Sequence, residues 1–443
     1  MIFVRNLRRV AAPTLLIASL LALPFSVEPA LAVDTTVSQG QIAPTPIAIP
    51  VFLSDDPKLG ADVAGVVAGD LGNSGLFQVL DPASYLEQLR DVNQPPNFPN
   101  WRAIKADAVI AGRVLHTPDG RINAEFRLWD VVNGRQKAGQ QFKVAAANWR
   151  RIGHLIADVV YEQLTGEKGY FDTRVVYIDE TGPKDHRTKR LALMDQDGAN
   201  GRYLSQGKEL VLTPRFNPVV PNEITFMAYQ GQKPKVYTMN IDTGQRQQVG
   251  DFPGETFAPR YAPDGQRILL SVSDGANTSI FEVDVRSGQS RRLTETAGLD
   301  TSPCYAPDGR QIVFESDREG TQQLYLMSPD GSAVRRLSTG EGRYSTPVWS
   351  PRGDFIAFTK QLGGRFLIGV MRPDGTGERI LSEGFHGEGP TWAPNGRVLM
   401  FFREGQGANA GAQIRSVDVT GYNERTIPTP AFASDPAWSP LQN

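Results

Sequence analysis

Apolar and polar positions alternate in short runs through the last two-thirds of the chain, as in Gln311-Ile312-Val313-Phe314 and Asp354-Phe355-Ile356-Ala357-Phe358. A period of two over four to eight residues predicts β-strands. The runs are ordered by a repeated motif: Pro, any residue, an aromatic, a small residue, Pro. It reads Pro214-Arg215-Phe216-Asn217-Pro218, Pro259-Arg260-Tyr261-Ala262-Pro263, Pro303-Cys304-Tyr305-Ala306-Pro307, Pro347-Val348-Trp349-Ser350-Pro351, Pro390-Thr391-Trp392-Ala393-Pro394 and Pro436-Ala437-Trp438-Ser439-Pro440. The second prolines are 43 to 46 residues apart. Between them, turns at Asp197-Gly198, Thr243-Gly244, Ser287-Gly288, Asp330-Gly331, Asp374-Gly375 and Thr420-Gly421 keep the same beat. Each period therefore holds about four short strands, the content of one propeller blade.

The first repeat starts at Arg174-Val175-Val176-Tyr177-Ile178 without a preceding motif, and the last motif has no blade after it. The terminal strand is expected to complete the first blade, which hides two sheet edges. Six motifs and six turns predict six blades. The motif aromatics are expected between neighbouring blades.

Ahead of the repeats the pattern changes. Ile47, Ile49, Val51 and Leu53 alternate and predict one strand over 46–53. Pro57 opens a helix expected to run to Leu71. Phe77–Leu80 reads as a strand, Pro82–Leu89 as a short helix and Pro95–Pro99 as a loop. Ala108–Val114, Arg121–Trp129 and Gln141–Val144 read as further strands. Trp149, Ile152, Ile156, Val159, Val160 and Leu164 share one helical face, which Gly166 ends. The fold expected is an α/β N-terminal domain, then an all-β six-bladed β-propeller closed by the C-terminal strand.

The first residues form an address. Arg5, Arg8 and Arg9 precede an apolar run over 10–25, and Ala30-Leu31-Ala32 is a small-x-small cleavage site. The boundaries expected are a signal peptide over 1–32, the α/β domain over 33–168 and the propeller over 169–443. The polar stretch Val33–Pro44 reads as an arm too poor in apolar residues to pack alone. Cleavage would move the net charge from −2 to −4. Neither value suits a nucleic-acid binder. The expected product is a soluble periplasmic monomer.

Catalytic motifs do not stand out. No GxSxG, GxGxxG or Walker pattern occurs, and His116, His154, His186 and His386 are scattered without metal-ligand spacing. Cys304 is the single cysteine and reads as a buried thiol. Asp195-Gln196-Asp197-Gly198 has the start of a calcium loop without its remaining ligands, and reads as a turn. No cofactor or metal is expected.

Several segments together are more specific than the repeat. They are Pro46-Ile47-Ala48-Ile49-Pro50-Val51-Phe52, Asp70-Leu71-Gly72-Asn73-Ser74-Gly75-Leu76-Phe77, Ala106-Asp107-Ala108-Val109-Ile110-Ala111-Gly112, Leu164-Thr165-Gly166-Glu167-Lys168-Gly169 and the terminal motif. With them the chain resembles the TolB family, periplasmic components of the Tol–Pal system. The resemblance implies a non-enzymatic scaffold between the inner-membrane protein TolA and the outer-membrane lipoprotein Pal, supporting outer-membrane integrity and division. Other outer-membrane or peptidoglycan-associated proteins are further partners it suggests. It implies TolA binding by the arm, Val33, Asp34, Thr35, Thr36 and Val37 first. It implies Pal binding at the propeller mouth by Glu255, Thr256, Ala258, Asp300 and Thr301, in loops before the motif; Glu255 stands where relatives can carry histidine. The competing expectation is a propeller enzyme with a metal or cofactor in its channel, served by Glu255, Asp300, Glu388 and Asp435.

Overall fold

The computed structural model describes residues 43–407 and 410–442. The expected signal peptide and the arm residues Val33 to Val37 lie outside the described residues. The N-terminal part is a sheet of β1 (Thr45–Ala48), β2 (Leu53–Ser54), β3 (Phe77–Val79), β4 (Ala108–His116), β5 (Arg121–Asp130) and β6 (Arg135–Ala145), with helices α1 (Pro57–Asn73), α2 (Phe98–Ala103) and α3 (Trp149–Thr165). The order is β3-β1-β4-β5-β6, with β2 paired to β4. β1 runs parallel to β3 and β4, while β4, β5 and β6 are antiparallel.

The helix boundaries follow their caps. Asp56 accepts the Lys58 N–H at 3.0 Å ahead of Pro57, and Gly166 closes α3 at φ 77°. Gly153 lets α3 approach α1, because a Cβ there would lie 2.5 Å from Val66 Cγ1.

Three expectations in this part are corrected. The strand expected over 46–53 is two strands around Pro50, whose missing N–H cannot continue a ladder. Its alternation misleads because β1 is central, so that Ile47, Ala48 and Ile49 are all buried while Val51 is exposed. The helix expected over 82–89 is a single 3-10 turn, Pro82–Ser84. The loop expected over 95–99 gives way to α2, which starts at Phe98 with Pro99 in its first turn.

The rest is six four-stranded antiparallel sheets. Five are continuous in sequence. The sixth joins Phe432–Trp438 to Arg174–Thr181, Thr188–Asp195 and Arg202–Tyr203, so the C-terminal strand closes the ring. The motif aromatics Phe216, Tyr261, Tyr305, Trp349, Trp392 and Trp438 are all buried. Several bond across to other elements. Tyr261 Oη donates to Glu223 at 2.7 Å, Trp392 Nε1 to the Val348 carbonyl at 3.0 Å, and Trp438 Nε1 to Thr173 Oγ1 at 2.8 Å. One apolar cluster runs from Val63, Val67 and Ile156 of α1 and α3 into Tyr170, Met400, Ile414 and Trp438 of the propeller.

Candidate functional site: the propeller channel and its open mouth

Each blade begins with the strand that carries the motif. Those strands are Val211–Phe216, Glu255–Tyr261, Thr301–Tyr305, Arg343–Trp349, His386–Trp392 and Phe432–Trp438. In all six the register slips just before the first proline. The residue at the slip is left-handed: Thr213 (φ 49°), Ala258 (48°), Ser302 (52°), Thr346 (47°), Gly389 (68°) and Asp435 (49°). Five of the six carry a Cβ, at a cost of roughly 1–2 kcal/mol each. A bulge re-aims the side chains around it. Strain repeated at one level of every blade points to a function for that level.

The N-terminal domain fixes which end of the ring is open. Arg352 meets Glu167 at 3.1 Å, Asn395 Nδ2 donates to the Lys168 carbonyl at 2.9 Å, and Asn423 Nδ2 to the Asn73 carbonyl at 2.8 Å. Arg352 and Asn395 lie in turns that follow the motifs, and Asn423 lies in the turn between the third and fourth strands, at the same end of its blade. The first residues of the six inner strands therefore lie at the opposite end.

Counting back from the first proline of each motif sorts that end. Four residues before it stand Leu210, Glu255, Leu299, Arg343, His386 and Phe432, all exposed or half-buried. Three before it stand Val211, Thr256, Asp300, Tyr344, Gly387 and Ala433, all buried. Two and one before it stand Leu212-Thr213, Phe257-Ala258, Thr301-Ser302, Ser345-Thr346, Glu388-Gly389 and Ser434-Asp435, nearly all half-buried.

The five residues expected at the mouth thus divide. Glu255 is on the rim. Ala258 sits at a bulge and Thr301 one residue ahead of one; Thr301 Oγ1 accepts from Ser271 Oγ at 3.0 Å. Thr256 and Asp300 are packed inside: Thr256 Oγ1 accepts the Val236 N–H at 3.0 Å, and Asp300 accepts from Arg318 at 2.8 Å and from Thr296 at 2.9 Å. None lies in a loop, apart from Asp300 beside its strand; the others belong to inner strands.

Sequence reasoning did not single out the apolar part of the rim. Leu210, Leu299, Leu362 and Phe385 are 40–53% exposed and all lie at the open end. His386 is held between Phe366 and Phe402, with Nδ1 3.0 Å from Glu404. Leu210, Leu299 and His386 stand four residues before the motif, where residue type differs from blade to blade, while Leu362 and Phe385 stand at other positions of their blades.

Acidic groups come from several blades. Burial raises Glu388, with Asp435 repelling its charge as well. Glu315 accepts the Thr346 N–H at 2.6 Å, yet burial pushes its carboxyl up to about 7. Of the carboxylates expected to serve an enzyme, Asp300 is neutralised by Arg318, and Glu255 lies on a different blade from Glu388 and Asp435.

A second polar cluster joins the two domains. His154 of α3 is buried, with Nδ1 2.6 Å from Asp70 of α1 and Nε2 3.6 Å from Asp195 of the first blade. Gln196 Nε2 donates to the other Asp70 oxygen at 2.8 Å. Burial opposes charge on His154, but attraction from Asp70 and Asp195 outweighs it and holds the imidazole up to about 10. The pair shares one proton, placed on His154 because a carboxylate faces each ring nitrogen. His154, Asp195 and Asp197 could offer metal ligands within 4.8 Å of one another. Arg150 already lies on both aspartates, so the cluster holds a cation of its own. The Asp195–Gly198 turn is therefore part of the domain junction.

Comparison with known proteins supplies the lineage. A family model described as the TolB beta propeller domain matches residues 161–442, and one described as the TolB amino-terminal domain matches residues 33–137. The crystal structure of TolB from Acinetobacter baumannii superposes with a TM-score of 0.79 at 25% identity, covering 90% of this chain and 97% of that one. Hydrazine synthase from Kuenenia stuttgartiensis matches at 13% identity and a TM-score of 0.50, over 61% of this chain and 47% of that one, a likeness of fold alone. The two family models, together with the ring closed by its own C-terminal strand, establish that this chain belongs to the TolB family.

Proposed function

We propose that this protein is a periplasmic binding scaffold of the Tol–Pal system, and that the open end of its propeller is the face that takes Pal. The observation that carries the proposal is the rim. Exposed Leu210, Leu299, Leu362 and Phe385 surround a channel mouth on the face opposite the N-terminal domain. Exposed apolar side chains beside a channel mouth suit an interaction site. The six inner strands hold the rim in place, so little conformational entropy is lost on binding. Glu255, Ala258 and Thr301 contribute from the rim and channel wall. Thr256 and Asp300 act by holding the wall together.

Residues Val33 to Val37 are proposed to bind TolA. An arm of that composition can be engaged by a partner in extended form. Among the described residues no helix is long and apolar enough to cross a membrane, which accords with a periplasmic scaffold.

Co-purification tests the proposal. Tagged Pal should retain the mature protein, and tagged TolA should retain it only when residues 33–44 are present. Failure of Pal to retain it would refute the mouth assignment; retention by TolA without the arm would refute the arm assignment.

A further inference from the structure

Two residues past each bulge the chain places Arg215, Arg260, Cys304, Val348, Thr391 and Ala437, one per blade. Four are small or apolar and buried. The other two are arginines on adjacent blades, both half-buried. They hold the same register position on the inner strands of neighbouring blades, each just past its bulge.

Several half-buried propeller arginines lie on carboxylates, Arg318 on Asp300 at 2.8 Å, Arg190 on Asp179 at 2.9 Å and Arg397 on Asp418 at 2.7 Å, whereas Arg174, Arg379 and Arg425 do not. Among the described residues neither Arg215 nor Arg260 has a carboxylate within 4 Å. Arg215 donates from Nη1 to the carbonyl of its neighbour Pro214 at 2.7 Å. Most of its five N–H donors are left for something else. Thr213, on the same strand, has a buried hydroxyl oxygen without a hydrogen-bond partner.

We propose that Arg215 and Arg260 form an anion site in the central channel, whose ligand is a carboxylate or a small oxyanion. Two guanidiniums side by side in a confined space repel each other and bear an unmet desolvation cost. An anion between them removes both penalties, and a planar or tetrahedral oxyanion matches the guanidinium fork. Burial, with repulsion from Arg260, accordingly drives the Arg215 guanidinium down to about 9, against the weaker pull of Asp435. The anion has two possible sources. It is free in solution, or it is a carboxylate on a chain that enters from the mouth; the second rests on the function proposed above.

The test uses the mature protein, inorganic phosphate and matched chloride at equal ionic strength. Phosphate at about a hundredfold excess over its dissociation constant should raise the melting temperature by about 3 °C. Arg215→Gln and Arg260→Gln should each abolish most of that rise. Arg260→Gln should also melt higher than wild type without phosphate, because a like charge has gone. An equal phosphate effect in wild type and both variants, or none in wild type, overturns the proposal. Titration with Pal, with and without phosphate, then identifies the source. Competition means that Pal brings the carboxylate, and independent binding means a free anion. If Pal does not bind at all, the phosphate result still stands or falls alone.

Discussion

Replacing Trp438 by alanine strikes the strand that closes the ring. The side chain is 6% exposed and belongs to the apolar cluster shared by α1, α3 and the propeller. Large-to-small changes at such a site cost about 3–5 kcal/mol through lost transfer energy and cavity formation. The edge contact with Tyr170, at 5.7 Å between ring centroids, adds about 0.5–1.5 kcal/mol. The bond to Thr173 adds about 1 kcal/mol at most, since the Thr173 hydroxyl still donates to the Tyr170 carbonyl at 2.7 Å. The sum is about 5 kcal/mol. If both domains melt together, about 400 residues at ~2.1 cal/mol/K each give an unfolding entropy near 0.8 kcal/mol/K. The expected fall in melting temperature is then about 6 °C, with one calorimetric peak retained. A drop of about 9 °C in one peak, as ~2.1 cal/mol/K per residue over the propeller alone gives, beside an unmoved second peak would show that the domains melt separately. No drop would refute the closure argument itself.

Other perturbations separate wall from rim. Arg318→Gln leaves Asp300 buried without its ion pair and should cost about 3–5 kcal/mol in chemical denaturation, whereas Glu255→Ala on the rim should change stability by less than about 0.5 kcal/mol. Stability should decline from pH 6 to pH 9. Burial holds Asp158 and Glu315 up to about 7, so their contribution is lost as pH climbs from the ordinary carboxylate range through 7. His154, held up to about 10, contributes fully below about 6.5 and loses that contribution as pH rises through 10. Glu315→Gln should flatten the profile between pH 5 and 7, and thermal melts across pH check both statements.

The blade count and ring closure were legible because they depend on period, and a period survives any local irregularity. The channel was less legible. A strand alternates its side chains between two faces, and a one-residue slip exchanges them. The slip lies inside every motif strand. Spacing from Pro259 or Pro303 therefore finds the right segment but cannot tell rim Glu255 from wedged Thr256, or channel-wall Thr301 from buried Asp300. The domain junction was hidden for another reason. Asp70, His154 and Asp195 are far apart in sequence and meet only when α1 and α3 dock on the first blade. Val51 and Ile49 show the same limit on a smaller scale, because alternation does not reveal that β1 is central.

Calorimetric titration of Pal into the mature protein and into Thr301→Arg tests the central claim most directly. Thr301 is half-buried one residue ahead of the Ser302 bulge, with its Oγ1 accepting from Ser271 of the neighbouring blade, so an arginine there would add bulk and charge at the mouth. The account predicts tight one-to-one binding by the unmodified protein and at least tenfold weaker binding by Thr301→Arg, whose melting temperature should fall by no more than about 4 °C, the cost of leaving buried Ser271 without its acceptor. Equal affinity for both proteins, or no heat of binding with either, would contradict it.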